Sequence, residues 1–442
     1  MNITAKFSFD GKCDLSFALL SDLHMTHRGE GLQKLHQHFA LYNKAVPSLD
    51  LHVFSGDIVY QHDLSGGGSY DKVESSPYEY LRIVREKYAK DIPLVYAIGN
   101  HEFPQHNWED DISRRAREMF TSHGYPLRDH QVVKGYHFIT IPIQNYHEDV
   151  LPEDEKWAEH EIRSALRASG DLPVFVVYHV PINNTVSRAK AQRFSDHFRA
   201  FLLSSRRIIN LCGHLHTALE QPTTIWQRAG GATVFHAPMS ATGFVSADGC
   251  ANGHLYDTSL YNSRSIFVEV TGRKILFHKI DNITECEIGK PWVVDLDGKQ
   301  FYTDSRKMRA KKPAFADGTA VEMIRQAPGG VFFKFPKALC EETEGNDDTT
   351  VPNYRFEFIK KGEKTPAKTV VWHSDYVESY PGAHFEDTVL VELDAGAYTV
   401  KISPVSFFGK VGKSISVKLK MGEAIPVPYN PVYQGWDAYP II

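Results

Sequence analysis

The sequence lacks a cysteine framework. Its five cysteines (Cys13, Cys212, Cys250, Cys286 and Cys340) are odd in number, widely spaced, and form no C-x-x-C pair. That pattern excludes a disulfide scaffold and a zinc–thiolate site, and it fits a reducing compartment. Long apolar runs are missing too: none approaches the ~20 residues that a helix needs to cross a bilayer. The first residues, Met1 to Lys6, show no basic segment leading into an apolar one, so no secretory signal is read there and a cytoplasmic protein is the default expectation. A basic surplus is absent as well, and a net charge of −5 argues against a general nucleic-acid binder.

What is present is a chain of 442 residues, 42% hydrophobic and 23% charged, with 22 histidines. The length predicts two domains, or one large domain with a module, each with a full core. The histidine count keeps metal chemistry open.

Apolar runs alternate with helical periodicity through the first half of the chain. Leu15 to Leu20 reads as a strand, Glu30 to Ala45 as a helix with Leu32, Leu35, Phe39 and Tyr42 on one face, and Leu51 to Phe54 as a second strand. Strand–helix–strand over this length predicts a βαβ unit with parallel pairing. A Gly/Ser loop, residues 64–69, is followed by a helix from Pro77 to Lys90 and a strand ending at Gly99. Helices are then expected over Asp110 to His123 and Glu153 to Ala168, with strands over Tyr136 to Ile143, Val174 to Tyr178 and Arg207 to Leu211. Thr233 to Phe235, Ser265 to Val270 and Lys274 to Ile280 read as antiparallel strands closing this domain.

Five of these apolar runs end in Asp, His or Asn: Asp22-Leu23-His24, Gly56-Asp57, Gly99-Asn100-His101-Glu102, His179, and Gly213-His214-Leu215-His216. In open α/β sheets ligands bind beyond the carboxyl ends of the strands, so these ends can converge. Asp, His and Asn are hard-to-borderline donors suited to Mn, Fe, Zn or Ni, and a pair of ions needs about seven donors with one carboxylate shared. The inventory fits a binuclear site. Taken singly, each block has an ordinary explanation: Asp22 a helix cap, Gly56-Asp57 a turn, His179 a satisfied core histidine. Gly213-His214-Leu215-His216 is the stronger signal, since alternation on an extended segment would put both imidazoles on one side. Their coincidence at five strand ends favours the metal site.

In this order the blocks resemble the calcineurin-like metallophosphoesterase family, whose pattern is D-x-H, G-D, G-N-H-D/E, H and G-H-x-H, over roughly the first two-thirds of the chain. The resemblance implies an α/β fold of four layers, two β-sheets flanked by helices. It implies Asp22, His24, Asp57 and His216 on one metal ion and Asp57, Asn100, His179 and His214 on the other, with Asp57 bridging. His101 would sit beside the substrate phosphate as the catalytic histidine, and Glu102 would orient a metal-bound histidine. The implied activity is hydrolysis of phosphate mono- or diesters by a bridging hydroxide, in which two divalent or trivalent ions polarise the phosphoryl oxygens. Gly99 and Gly213 would let the backbone turn sharply where a side chain would crowd the metals.

Departures narrow the group. The second block runs Gly56-Asp57-Ile58-Val59-Tyr60-Gln61, without the G-D-x-V-D-R-G extension of protein Ser/Thr phosphatases. Tyr60 fits the G-D-x-x-Y of purple acid phosphatases, but His24 stands where they have glycine, so Tyr60 is read as a packing or outer residue, with tyrosinate ligation the minority reading. A small diester such as a cyclic nucleotide is one substrate class the shared blocks allow. His27, Arg28, His62, Gln105, His106, Asn183 and Asn184 adjoin the blocks as substrate-contact candidates, each with a plain loop role as the simpler reading, and residues 235–244 border the site in relatives. The rival class is a catalytically weak or inactive scaffold of the same fold; such scaffolds usually lack ligands or the catalytic histidine, and this chain keeps them all.

The charged stretch 309–313 reads as a linker, and the remainder as short strands with Gly, Pro and Asp between them, the pattern of a small all-β sandwich. Leu393-Asp394-Ala395-Gly396-Ala397-Tyr398 is similar to the L-x-P-G-x-x-Y signature of fibronectin type III domains, which implies a corner role for Tyr398 and a core place for Trp372. The expected division is a catalytic domain over 1–308, a β-sandwich over 309–423, and an aromatic, proline-rich tail over 424–442 that packs on a domain surface. The module's expected work is packing, or holding a protein or glycan.

Overall fold

The computed structural model describes residues 3–6, 12–25, 30–61, 75–104, 110–186, 193–237, 240, 243–245, 254–256, 263–326, 330–341, 350–374 and 383–422. His27, Arg28, His62, Gln105, His106, the Gly/Ser loop and the tail therefore lie outside the described residues.

Two sheets face each other. The first has eight strands, in the spatial order Ile3–Lys6, Cys286–Ile288, Lys274–Asp281, Arg264–Thr271, Leu15–Leu20, Leu51–Phe54, Leu94–Tyr96, with Trp292–Asp295 added beside Lys274–Asp281. The second has six: Asp129–Val133, Tyr136–Thr140, Val174–Val177, Ile208–Cys212, Thr233–His236, Ile225–Gln227. The three strands Leu15–Leu20, Leu51–Phe54 and Leu94–Tyr96 run parallel, as do the four from Tyr136–Thr140 to Thr233–His236.

Strand Leu15–Leu20 shows why the apolar runs are unbroken. All six of its residues are buried, because both faces of the sheet are covered. Leu15, Phe17 and Leu19 point between the sheets, where Phe17 meets Phe138 and Phe175 edge-on at 5.4 and 5.2 Å. Ala18 and Leu20 point the other way, toward helices, as the period of two requires. Helices Glu30–Ala45, Ser76–Tyr88 and Asp110–Ser122 cover that outer face through Leu35, Phe39, Tyr78, Leu81 and Phe120. Pro152–Ala168 and Asp196–Leu202 cover the second sheet through Ala158, Ile162 and Phe198. Each fully buried Phe contributes about 2–3 kcal/mol before entropy is counted. The result is the expected four layers, helix, sheet, sheet, helix. One pairing differs from expectation: Thr233–His236 runs parallel to Ile208–Cys212, and only its other edge, against Ile225–Gln227, is antiparallel. A four-residue strand carries no signal of its direction, which here is set by the connection.

The C-terminal region is all antiparallel. One sheet orders Glu322–Gln326, Gly330–Pro336 and His384–Leu390; the other orders Lys368–His373, Asn353–Lys360, Gly396–Val405 and Ile415–Met421. Phe333, Phe335, Tyr354, Phe356 and Phe385 fill the space between them. Trp372 packs at the margin of this core and ties the two sheets, its indole N–H donating to Asp387 at 2.6 Å. The Tyr398 hydroxyl donates to the Asp394 carbonyl at 3.0 Å, as a tyrosine corner would. Among the described residues no helix is long and apolar enough to cross a membrane.

One half-buried ion cluster in the first sheet makes stability depend on pH. His278 lies 2.7 Å from Glu287 and 2.9 Å from Glu269, across neighbouring strands. Burial lowers its pKa, but the two carboxylates more than offset this and raise it to about 9. A pKa above the unfolded value stabilises the fold fully below about pH 6.5, and that stabilisation is lost as the pH rises to about 9. His278→Gln should therefore cost at most about 2–3 kcal/mol at pH 6 and little at pH 9.5. Denaturant midpoints of the two proteins across this range would show the gap closing; a gap independent of pH would contradict the assignment.

Candidate metal centre

The parallel strands of both sheets end at one edge, and the five polar blocks meet there. Two groups form. Asp22, His24, Asp57 and His216 bring one side-chain donor each to within 4.8 Å of one another, and Asp57, His179 and His214 do the same. Asp57 belongs to both. Its Oδ2 lies 2.9 Å from His179 Nε2, 3.5 Å from His24 Nε2 and 3.9 Å from His101 Nε2. In the first group Asp22 Oδ1 lies 3.2 Å from His216 Nε2. In the second, Asn100 Oδ1 is 3.1 Å from both His179 Nε2 and His214 Nδ1. The structure thus brings together all eight residues expected at the site.

How the chain presents them departs from the sequence reading. Asp22, His24, Asp57, His214 and His216 all have left-handed backbones, with φ of 51°, 50°, 54°, 79° and 51°. Such conformations cost an L-residue about 1–3 kcal/mol and persist only where the surroundings impose them. They correct the expectation of an extended Gly213-His214-Leu215-His216 segment with both imidazoles on one side. The chain reverses hand at each histidine, and the two rings serve different groups. Close crowding, more than a sharp turn, accounts for Gly99 and Gly213. Neither has a positive φ; both lack a Cβ because there is no room for one. A Cβ at Gly213 would lie 2.0 Å from Ser21 Oγ, and one at Gly99 2.3 Å from Asp57 Oδ1.

Among the described residues Glu102 hydrogen-bonds to no histidine. Its wholly buried carboxylate accepts the backbone N–H groups of Asp57 (3.0 Å), Ile58 (2.8 Å), Val59 (3.0 Å) and Gly99 (2.7 Å), and the Tyr96 hydroxyl (2.6 Å). It ties the loop bearing Asp57 to the loop bearing Asn100 and His101. Asp22 plays a matching part, both its oxygens accepting the His214 N–H at 3.0 Å.

Two orienting contacts carry no sequence signal. The Nδ1 of His179 donates to the Ser55 carbonyl at 2.8 Å, which aims its Nε2 at Asp57 and Asn100. Glu148, on the loop after Tyr136–Thr140, stands 3.4 Å from His214 Nε2 and is held by Arg193 at 2.9 Å. Tyr60 stacks on His24, with centroids 5.4 Å apart and planes at 11°, and burial raises its phenol pKa, in keeping with a packing role. Asn184 is exposed and lines a separate cavity of about 240 Å³ with Trp226, Tyr302, Arg306 and Phe408.

Do these residues fit metal ions? Taking the protein groups alone, burial would raise the pKa of Asp57, but His179 and His101 more than offset it and hold the carboxylate well below its usual range. Asp22 is likewise held down, with His216 outweighing burial. Burial lowers His179, yet Asp57 pulls it up to about 10. His24 and His214 are lowered, chiefly by burial. Two buried carboxylates therefore stay ionised, ringed by imidazoles. Within this ring His24 Nε2 and Asp57 Oδ2 are buried without a hydrogen bond of good geometry, a costly state for polar atoms that a cation would relieve. Oxygen and imidazole donors at this spacing suit divalent ions of the Mn, Fe, Zn and Ni kind. They fit.

The chain is similar to several known proteins over part of its length. A PhoD structure is 13% identical, with 64% of this chain and 70% of that one covered at a TM-score of 0.42. A purple acid phosphatase isolated from yellow lupin (Lupinus luteus) seeds is 11% identical, with 66% and 54% covered and a TM-score of 0.45, so the chain spans about half of that protein. Vacuolar Protein Sorting 29 from Cryptosporidium parvum is 10% identical, with 60% and 91% covered and a TM-score of 0.30. None of the three reaches 0.5, and none bears on activity here. No curated protein matches the chain. The family model described as calcineurin-like phosphoesterase matches residues 15–218 of the chain.

Proposed function

We propose that this protein hydrolyses phosphate esters, mono- or diesters, at a centre of two metal ions. Asp22, His24, Asp57 and His216 would hold one ion, and Asp57, Asn100, His179 and His214 the other. The single observation that carries the reading is the pair of donor groups sharing one ionised, wholly buried carboxylate, Asp57. When bound, two such ions polarise phosphoryl oxygens and make water a competent nucleophile at neutral pH.

The chain's own residues set the rest. Glu102 and Asp22 fix the ligand loops by their backbone N–H groups, so the donors are in place before substrate arrives. His101 stands at the mouth of the site, its Nδ1 buried and lacking a hydrogen-bond acceptor among the described residues. Burial lowers its pKa to about 3, so the resting ring is neutral, with a single N–H to offer an arriving group. An arriving phosphate raises that pKa, and the ring can then pass a proton to the leaving oxygen as the P–O bond breaks.

The C-terminal strands, three in one sheet and four in the other, together with the Tyr398 corner, support a fibronectin type III-like module beyond about residue 309. With the catalytic unit over 1–308 and the tail over 424–442, that module would pack against the catalytic unit or hold a protein or glycan partner.

The test is metal analysis of the purified protein coupled to a panel of mono- and diesters. About two equivalents of metal and turnover of at least one ester class are expected. His101→Ala should keep the metal and lose about 10²–10⁴-fold in turnover. A protein with no metal and no activity under added manganese would replace this reading with the scaffold.

A further inference from the structure

His236 belongs to neither donor group, yet it grips the chain on both sides of a ligand. It ends the strand Thr233–His236, opposite Cys212 in the parallel register, and is wholly buried. From there its ring reaches the loop that carries His214 and His216.

Leu215, between the two histidines, makes two bonds with its single N–H. One goes to the Gly213 carbonyl at 3.1 Å, and the other to His236 Nε2, also at 3.1 Å. The first closes a three-residue turn about His214, whose φ is +79°. A γ-turn of that hand is rare and strained. One internal hydrogen bond holds such a turn weakly, and the His236 ring anchors the same N–H from outside the turn, fixing where Leu215 stands.

The chemistry of the ring follows from the donor it faces. A backbone amide only donates, so Nε2 must be bare and the ring proton must sit on Nδ1. That proton is directed to Thr217 Oγ1, 3.0 Å away. Thr217 directly follows His216, whose φ is +51°. One neutral imidazole therefore accepts from the residue before His216 and donates to the residue after it.

We infer that His236 is a positioning residue for His214 and His216, holding their two left-handed turns through the Leu215 N–H and the Thr217 hydroxyl. It fixes where both imidazoles stand without contributing a donor of its own. The inference rests on the metal centre of the proposed function.

The experiment is calorimetric titration of Mn²⁺ into the full-length wild-type protein and into His236→Phe, His236→Gln and Thr217→Val, with thermal unfolding of each sample before metal is added. Phe keeps the bulk and removes both bonds, so Mn²⁺ affinity should fall about 10–100-fold. The amide oxygen of Gln can accept the Leu215 N–H, so affinity should return to within about threefold of wild type. Thr217→Val removes one end of the grip and should fall between them. Wild-type affinity in His236→Phe, or a His236→Gln as weak as His236→Phe, would overturn the inference, since packing alone would then account for the residue. Should His236→Phe not fold, Thr217→Val decides, and an unchanged affinity there overturns it. A wild type that takes up no Mn²⁺ removes the metal centre and this inference with it, whereas binding by wild type and His236→Phe alike removes this inference only.

Discussion

Asp57→Asn is expected to abolish the proposed hydrolysis and to leave the fold standing. The expected loss in turnover is about 10³-fold or more, as for other residues that act as part of one catalytic unit. Asp57 is the one residue common to both donor groups, and its Oδ2 is the atom that His24 and His179 converge on. An amide puts a neutral group there, and in the orientation that keeps Oδ1 it turns N–H donors toward the site. Everything that shapes the loop is preserved. Oδ1 still accepts the His101 N–H at 2.8 Å, the Glu102 bonds are to backbone, and asparagine adopts a φ of 54° as readily as aspartate. The unfolding temperature without metal should move by no more than about 3 °C. Circular dichroism and metal content, read beside turnover, check the three parts of this expectation. Near-wild-type turnover would refute the shared carboxylate.

Gly99→Ala has the second largest effect, and for a steric reason alone. Gly99 is extended, with φ −106°, so alanine meets no conformational penalty. The added Cβ would sit 2.3 Å from Asp57 Oδ1 and 2.4 Å from Asp57 N, where real contacts stay beyond 3.0 Å. The Asp57 side chain could rotate away, but its backbone nitrogen cannot move without pulling the Asp57, Ile58 and Val59 N–H groups off Glu102. Overpacking of this kind costs about 1–3 kcal/mol, and a ligand displaced by an ångström costs about 100-fold in rate. We expect an unfolding temperature lower by several degrees, weakened metal uptake and turnover down by at least about 100-fold. An alanine variant with native stability and rate would show that the two loops are not locked against each other.

The convergence of the candidate donors was legible because metal chemistry restricts residue type, and the sheet restricts where such residues stand. Asp22, His24, Asp57, Asn100, His179, His214 and His216 each close an apolar run, and the parallel strands bring those ends to one edge. Backbone hand was not legible. Nothing in Gly213-His214-Leu215-His216 announces that the chain reverses at each histidine, because the cost of a positive φ is met by partners far away in sequence. The partners themselves hide for the same reason. His236, Glu148 and the Ser55 carbonyl act through one or two polar contacts each, and a lone histidine after a short strand or a lone glutamate on a loop has many ordinary uses. Glu102 was noticed by its neighbours, but its work on four backbone amides appears only in three dimensions.

Asp22 has one further consequence, in the entropy of the chain. Its carboxylate takes the His214 N–H across 192 residues, joining the end of a strand in the first sheet to the end of a strand in the second. Closing a loop of this length costs chain entropy on folding, a cost that grows only as the logarithm of the length, and this buried charge-assisted bond is one of the contacts that offset it. Asp22 is therefore a clasp as well as a candidate ligand. Its two oxygens keep the sheets from parting at the edge where a bound ion would draw most strongly on their spacing.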